Sequence, residues 1–198
     1  MIEIPVDLPS ELVPLSWLIG VWEGAGNVEY QLGDDTVSQR FGQRVSFSHD
    51  GLPYLNYTSF SWLDDEHSTP LAAESGYWRL HRSQLEGDPG PAMLPPTAPR
   101  PFTTAQSVET LRNSDGGFDL EVALVHPGGV SELYLGQIKG PRVDLATDAV
   151  MRTAGSKPYA AATRLYGLVE NDLLWAWDIA ALGQDLRTHA SARLAKVD

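Results

Sequence analysis

The sequence predicts an all-β fold, an antiparallel up-and-down β-barrel of about ten strands with a short N-terminal helical segment. Successive segments alternate polar and apolar side chains and are rich in valine, threonine and aromatic residues, as strands with one buried face are. Tight turns separate these segments, so consecutive strands are expected to pair as hairpins. Closing such a meander removes its exposed edges, and a barrel of about ten strands encloses more space than its own side chains fill. We therefore expect a ligand cavity.

The chain opens with an N-terminal arm, LPSELVPLSWLI (8–19), that does not have a strand pattern. Ser10 is placed to cap a short helical turn that leads into the apolar residues of this arm. An ordered arm of this kind either plugs one end of a barrel or lies against its surface. The sequence leaves both arrangements open.

The strand segments follow one another from Gly20 to the end of the chain. Their turns carry residues that favour positive φ angles, such as Asp50-Gly51 and the glycines of 113–117 and 127–129. The predicted strand segments lie at 21–30, 44–50, 53–63, 74–82, 107–112, 118–126, 130–138, 142–153, 163–171, 173–180 and 185–197.

A proline-rich stretch interrupts this pattern. EGDPGPAMLPPTAPRP (86–101) has six prolines in sixteen residues, which excludes a ladder strand or a helix. It falls between strands that should pair in one sheet, so we interpret it as a loop insertion, at about 87–105, in a single domain spanning 1–198.

Charge and composition narrow the functional classes. The net charge of −12 disfavours binding to nucleic acid or to anionic membranes. The chain has no cysteine, which excludes disulfides, zinc–thiolate sites and iron–sulfur clusters. The N-terminus shows no signal-peptide pattern and no segment is long and apolar enough to span a membrane, so a cytoplasmic protein is expected. We also allow for a homodimer.

A G-x-W-x-G-x-G pattern opens the first strand, formed by Gly20, Trp22, Gly24 and Gly26. A tryptophan here closes the floor of a barrel, and glycines permit a bend or a close approach of neighbouring strands. We expect Trp22 to be a core residue. The full pattern resembles the N-terminal motif of the nitrobindins, a family of haem-binding β-barrels related in shape to fatty-acid-binding proteins.

Further segments carry the same resemblance along nearly the whole chain, apart from the proline-rich insertion. They are SFSHDGLPYLNYTSF (46–60), ESGYWRL (74–80), LVHPGGVSELYLG (124–136) and the C-terminal GQDLRTHASARLAKV (183–197).

The resemblance points to His189 as the residue of greatest interest. In the family, a histidine on the last strand is the axial ligand of the haem iron, and His189 occupies that position. Strict alternation along this strand places His189 on the same face as Arg187, Ser191 and Arg193, whose charges are compatible with haem propionates. From the spacing alone, a surface histidine on an edge strand is the more ordinary interpretation.

Two other residues are implied more weakly by the resemblance. Thr36 corresponds to a threonine near the haem, although the surrounding segment is longer here, and Lys157 corresponds to a lysine that could pair with a propionate. Relatives often have a distal histidine where this chain has Leu71 and Ala72, so that distal donor is missing. His126 precedes a Pro-Gly-Gly turn and is expected to order it.

The resemblance implies a protein with one ferric haem b per chain that binds nitric oxide and isomerises peroxynitrite to nitrate. The sequence identifies no catalytic acid or base for this reaction. Two alternatives stay open: a non-catalytic carrier of a fatty acid or other amphipathic ligand, with an arginine that meets its carboxylate, and a degenerate family member without haem.

Overall fold

Ten antiparallel strands close into one barrel, as the sequence predicts. The computed structural model describes residues 8–32, 35–180 and 187–197. Each strand pairs with its neighbours along the chain, and the first strand pairs with the last. The strands are β1 (Gly20–Leu32), β2 (Asp35–Ser48), β3 (Leu55–Leu63), β4 (Pro70–Leu80), β5 (Phe118–His126), β6 (Val130–Lys139), β7 (Arg142–Arg152), β8 (Ala161–Val169), β9 (Asp172–Ala180) and β10 (Arg187–Lys196).

The up-and-down topology gives the barrel two different ends. At one end, the plugged end, lie the N-terminal arm and the connections β2–β3, β4–β5, β6–β7 and β8–β9. At the other, the far end, lie the connections β3–β4, β5–β6 and β7–β8. The proline-rich insertion belongs to the β4–β5 connection and therefore to the plugged end.

The N-terminal arm plugs the barrel, which decides between the two arrangements that the sequence leaves open. It forms a 3-10 helix over Ser10–Leu18, and its leucines are completely buried. The indole Nε1 of Trp22 donates a hydrogen bond to the carbonyl oxygen of Leu18 at 2.7 Å, and Trp22 is a core residue as predicted. The predicted Ser10 cap is wrong, because the helix already begins at Ser10 and Pro9 occupies the cap position without a side-chain hydrogen bond.

The segment SVETLR is helical, whereas its side-chain types predict a strand. It contributes to α1 (Ala105–Val108) and to a 3-10 turn over Glu109–Leu111. The reason is a capping box: the Thr104 hydroxyl accepts a hydrogen bond from the Ser107 backbone N–H, and the Ser107 hydroxyl accepts one from the Thr104 N–H. No helix in the described ranges is long and apolar enough to cross a membrane.

A buried ion cluster ties the proline-rich insertion to the plug. Arg82, just after β4, places its Nε 2.5 Å from a carboxylate oxygen of Glu11, and its two terminal nitrogens each lie 2.7 Å from Asp88. All three side chains are less than a tenth exposed. The Arg82 guanidinium also lies 5.0 Å from the centre of the Phe102 ring. The insertion is thus folded against the plugged end.

Close contact between β1 and β10 closes the barrel and explains two of the motif glycines. A Cβ at Gly24 would lie 2.3 Å from the carbonyl oxygen of Arg193, and one at Gly26 would lie 2.1 Å from that of Ser191. Backbone atoms cannot move aside as a flexible side chain can. Any larger residue at these positions must push the first and last strands apart.

Gly24→Ala should therefore lower the free energy of unfolding by about 1–3 kcal/mol, because the methyl group forces apart the strand pair that closes the barrel. The measurement is urea denaturation of the purified protein. Gly155→Ala is the matched control, since Gly155 has open space around its Cβ position and should change stability little. Equal stability of the two variants would show that the β1–β10 spacing tolerates a side chain.

Candidate functional site

A cavity of about 280 Å³ lies inside the half of the barrel nearer the far end. This is close to the lower limit of the range of about 300–1,000 Å³ typical of ligand pockets. Its apolar lining comprises Val28, Phe41, Val45, Tyr57, Leu71, Ala72, Ala73, Tyr166, Trp175, Trp177 and Ala190. Its polar lining comprises Gln43, Ser59, Ser61, Glu74, His126, Arg164 and His189.

His189 reaches this cavity because β10 contains a β-bulge. Its neighbours Thr188 and Ala190 pair with consecutive residues of β9, so His189 is the extra residue of the bulge. The strict alternation assumed from the sequence is therefore wrong at this point: His189 lines the cavity, whereas Ser191 and Arg193 are exposed. Bulges commonly re-aim a side chain beside a functional site.

The backbone of β1 sets the orientation of the His189 ring. Nδ1 lies 3.0 Å from the carbonyl oxygen of Glu29. A carbonyl oxygen only accepts hydrogen bonds, so Nδ1 carries the hydrogen, and in the neutral ring the lone pair is on Nε2. The ring also meets the Trp177 indole edge to face, with 5.6 Å between ring centres. Metal-ligating histidines typically have this arrangement, in which one nitrogen donates to a carbonyl oxygen.

A buried ion pair forms part of the cavity wall. Arg164 of β8 makes two hydrogen bonds to the carboxylate of Glu74 on β4, at 2.7 and 2.8 Å. The hydroxyl of Tyr57 donates to the same carboxylate at 2.5 Å. The Arg164 guanidinium lies 4.4 Å from the centre of the Trp177 ring, so the pair also contacts the indole that packs on His189.

A second carboxylate, that of Glu132 on β6, is fully buried beside this pair. It accepts hydrogen bonds from the hydroxyls of Tyr134 at 2.5 Å and Tyr159 at 2.6 Å. Nε2 of His126 lies 2.6 Å from its other oxygen, and Arg164 lies 3.6 Å from that same oxygen. The two carboxylates, the guanidinium and the phenols of this part of the wall therefore all have close partners, as buried polar groups require.

The electrostatics of the cluster keep both carboxylates ionised at neutral pH. Burial by itself raises the pKa of Glu74, but the charge and hydrogen bonds of Arg164 outweigh it and lower that pKa to about 2. Burial likewise opposes ionisation of Glu132, yet hydrogen bonding by His126 and the Arg164 charge hold its pKa below the usual value. Burial and the neighbouring Tyr134 and Glu132 raise the pKa of Tyr159 far above its usual value. The phenols consequently stay protonated.

Thr36 and Lys157, the other two residues that the resemblance implies for the site, lie outside the cavity lining. Thr36 is exposed on β2, opposite Gln31 in the β1–β2 hairpin. Lys157 is exposed in the β7–β8 connection, where its carbonyl oxygen accepts a hydrogen bond from Arg152 at 3.1 Å. Their roles stay predictions. The G-x-W-x-G-x-G residues belong to barrel closure and to the plugged end.

Leu71 and Ala72, which stand where relatives often have a distal histidine, line the cavity. The polar residues next to them were not identified from the sequence. His126 orders its turn as expected, since its carbonyl oxygen accepts a hydrogen bond from Gly129 at 3.1 Å. Its ring, however, lies on the inner face of β5 and contacts Glu132. A signal was present: Glu74, Glu132 and Arg164 each occupy an inward position in a strand whose other inward residues are apolar.

The chain matches a family model described as a THAP4-like, heme-binding beta-barrel domain, over residues 11–196. Proteins named peroxynitrite isomerase are similar along their entire length: that of Clavibacter michiganensis subsp. michiganensis is 72% identical over 199 residues, covering 100% of both chains. That of Leifsonia xyli subsp. xyli is 72% identical over 198 residues, again with 100% of both chains covered. That of Paenarthrobacter aurescens is 55% identical over 200 residues, covering 99% of this chain and 98% of its own.

Among solved structures, the crystal structure of Rv2717c from M. tuberculosis has the same fold. It superposes with a TM-score of 0.68, at 23% sequence identity, and covers 99% of this chain and 100% of its own. At this level of identity the likeness concerns the fold alone.

The buried pair predicts how stability changes in acid. The pKa of Glu74 falls from a reference value of 4.5 to about 2 in the folded protein. Its stabilising contribution is therefore complete above the unfolded pKa and is lost as the pH falls through the folded one, a loss of about 3 kcal/mol. Glu74→Gln should be less stable at neutral pH, because Arg164 loses its partner, and should depend less on pH in this window. Urea denaturation at a series of pH values measures both effects.

Glu66→Gln is the control for that experiment, since Glu66 is exposed in the β3–β4 connection. Its stability should follow that of the wild type at each pH. A Glu74→Gln variant with the wild-type pH dependence would contradict the assignment of this contribution to Glu74.

Proposed function

The chain belongs to the family of THAP4-like, haem-binding β-barrel domains, and from this premise we propose that it binds haem through His189 and isomerises peroxynitrite to nitrate. The observation that carries the proposal is the bulge in β10, which turns His189 into the cavity and leaves its Nδ1 bonded to the carbonyl oxygen of Glu29. The full-length similarity to proteins named peroxynitrite isomerase supports the reaction.

The residues around His189 suit a haem. A neutral imidazole nitrogen is a good ligand for haem iron, and the hydrogen bond to Glu29 holds the ring in the tautomer that this requires. Val28, Phe41 and Trp177 provide the apolar walls that a macrocycle packs against. A haem is larger than the cavity itself, so it would extend toward the far end, where its propionates reach water.

The reaction requires the protein to bind the substrate and to shield it from bulk water, and little else. Peroxynitrite and nitrate are isomers, so their interconversion consumes no electron and no proton and needs no reductant. A bound ferric haem supplies a Lewis-acidic iron with one open coordination position. His189 would hold the iron, and the apolar lining would exclude bulk water from the bound substrate. The same open position accounts for the binding of nitric oxide.

One haem per chain follows from this assignment. His189 is a single residue at a single bulge, and it lines one cavity on the barrel axis. The ferric state accords with an isomerisation that consumes no electron. These two features, stoichiometry and oxidation state, are part of the proposal.

The buried ion pair argues against a fatty-acid carrier. A carrier of this shape would use an inward-facing arginine to bind the carboxylate of its ligand. Arg164 is such an arginine, but both of its terminal nitrogens already bond Glu74. Its charge is therefore neutralised within the protein.

Removal of His189 should abolish or greatly weaken haem binding. We expect wild-type protein to saturate at one ferric haem per chain, and His189→Ala to bind haem at least about 10-fold more weakly, with a changed Soret band. The measurement is an optical titration of the apoprotein, followed by the rate of peroxynitrite decay in the loaded protein. His67→Ala is the matched control, because His67 is exposed in the β3–β4 connection.

Two outcomes would overturn the proposal. Absence of saturable haem binding by the wild type would favour a carrier or a family member that has lost haem. Equal titration curves for the wild type, His189→Ala and His67→Ala would show that haem binds elsewhere than at His189.

A further inference from the structure

A second histidine lines the cavity from the wall that faces His189. In the closed order of ten strands, β5 is five strands away from β10 in either direction, which places the two strands on opposite sides of the barrel. His126 is the last residue of β5 and continues its inward-facing series, whose earlier members are buried. Both histidines line the same cavity near the far end. A ligand between them would be contacted from both sides.

One ring nitrogen of His126 has a close hydrogen-bond partner and the other has none within hydrogen-bond distance among the contacts described. Nε2 lies 2.6 Å from the buried carboxylate of Glu132, a distance typical of a strong charge-assisted hydrogen bond. Nδ1 lies 3.7 Å from the nearest oxygen of Glu74, which is too long for a direct hydrogen bond. Glu132 therefore orients the ring, which lines the cavity, and Nδ1 is the ring nitrogen that is left for a ligand.

The charges around His126 make its proton state important for such a ligand. From β4, β6 and β8 it faces the carboxylates of Glu74 and Glu132 and the single guanidinium of Arg164. A protonated imidazole has two N–H donors, one for Glu132 and one for a ligand, whereas the neutral ring has only one.

The other groups of the cluster do not compete for this role. The phenols of Tyr134 and Tyr159 already donate to Glu132 and keep their protons. On the polar side of the cavity, the Gln43 amide donates to Ser59 at 2.9 Å and accepts from the Trp175 indole at 2.7 Å. These contacts are satisfied within the protein and carry no net charge.

We propose that His126, oriented by Glu132, is a second ligand-binding residue of this site and donates a hydrogen bond from Nδ1 to a small anion bound opposite His189. The inference rests on the proposed function and deepens it, because it assigns the residue that recognises the charge of the substrate. Peroxynitrite is a small oxyanion and so is its product, nitrate. A neutral ligand such as nitric oxide would gain nothing from this contact.

The test uses azide as the anionic probe and nitric oxide as the neutral one, each titrated optically into ferric haem-loaded protein between about pH 5 and 8, where histidines change charge. His126→Gln, which keeps a donor for Glu132 but carries no charge, should bind azide about 10-fold more weakly, as expected for loss of a charged hydrogen bond. Nitric oxide should bind both proteins alike.

Two further variants make the result specific. His126→Leu removes the hydrogen bond and the charge together and should lose at least as much azide affinity as His126→Gln. His81→Gln is the matched control, because His81 also contacts a carboxylate, that of Glu121 at 3.3 Å, but on the exposed surface at the plugged end. It should behave as the wild type does.

The outcomes separate this inference from the proposed function. If the wild type does not load with haem, the proposed function fails and this inference falls with it. If all proteins load with haem but His126→Gln and His126→Leu bind azide as the wild type does at every pH, the inference alone is overturned. Equal weakening of azide and nitric oxide would also overturn it, since that result indicates a general change in the cavity.

Discussion

Closure of the sheet is the constraint on which the rest of this structure depends. The first and last strands must approach each other closely enough to bond, and Gly24 and Gly26 permit this where any side chain would meet the backbone of β10. Once closed, ten strands surround more volume than their inward residues can fill. The buried Trp22 and the aromatic rings that pack on Trp78 fill the plugged end, and the remaining space becomes the cavity.

The cavity is shaped by ionic groups as much as by apolar ones. Burying a charged pair such as Arg164 and Glu74 costs desolvation that the attraction between the charges only offsets, so its contribution to stability is modest. The effect of this pair on the geometry of the barrel is clearer. Two parallel hydrogen bonds fix β4 relative to β8 across the barrel interior, and Glu132 adds β6 to the same network. The polar wall is therefore rigid, which suits a site that must hold a small ligand in one orientation.

The two histidines of the cavity are held by different means, and these suit different tasks. A backbone carbonyl oxygen of β1 holds His189, which favours a neutral ring whose remaining nitrogen can bind a metal. A buried carboxylate holds His126 through Nε2 and leaves Nδ1 as its second ring nitrogen. In the two proposals above, the cavity therefore has a metal-binding side and an anion-binding side, with the neutralised Arg164 between them.

A resemblance to a known family singled out His189, whose role stays a prediction. The sequence by itself determined the fold class and the burial of Trp22, because side-chain alternation, turn residues and a spaced motif are local properties of the chain. It failed at Ser10 and at SVETLR, where the exact start of a helix and a capping box outweighed the pattern of side-chain types. It also could not place His189 in the cavity, because a bulge shifts alternation by one residue and leaves no trace in composition. Only the tertiary structure paired Arg164 with Glu74, ninety positions apart, and set His126 opposite His189. Such contacts depend on the register and closure of the whole sheet, and no local stretch of sequence encodes either one.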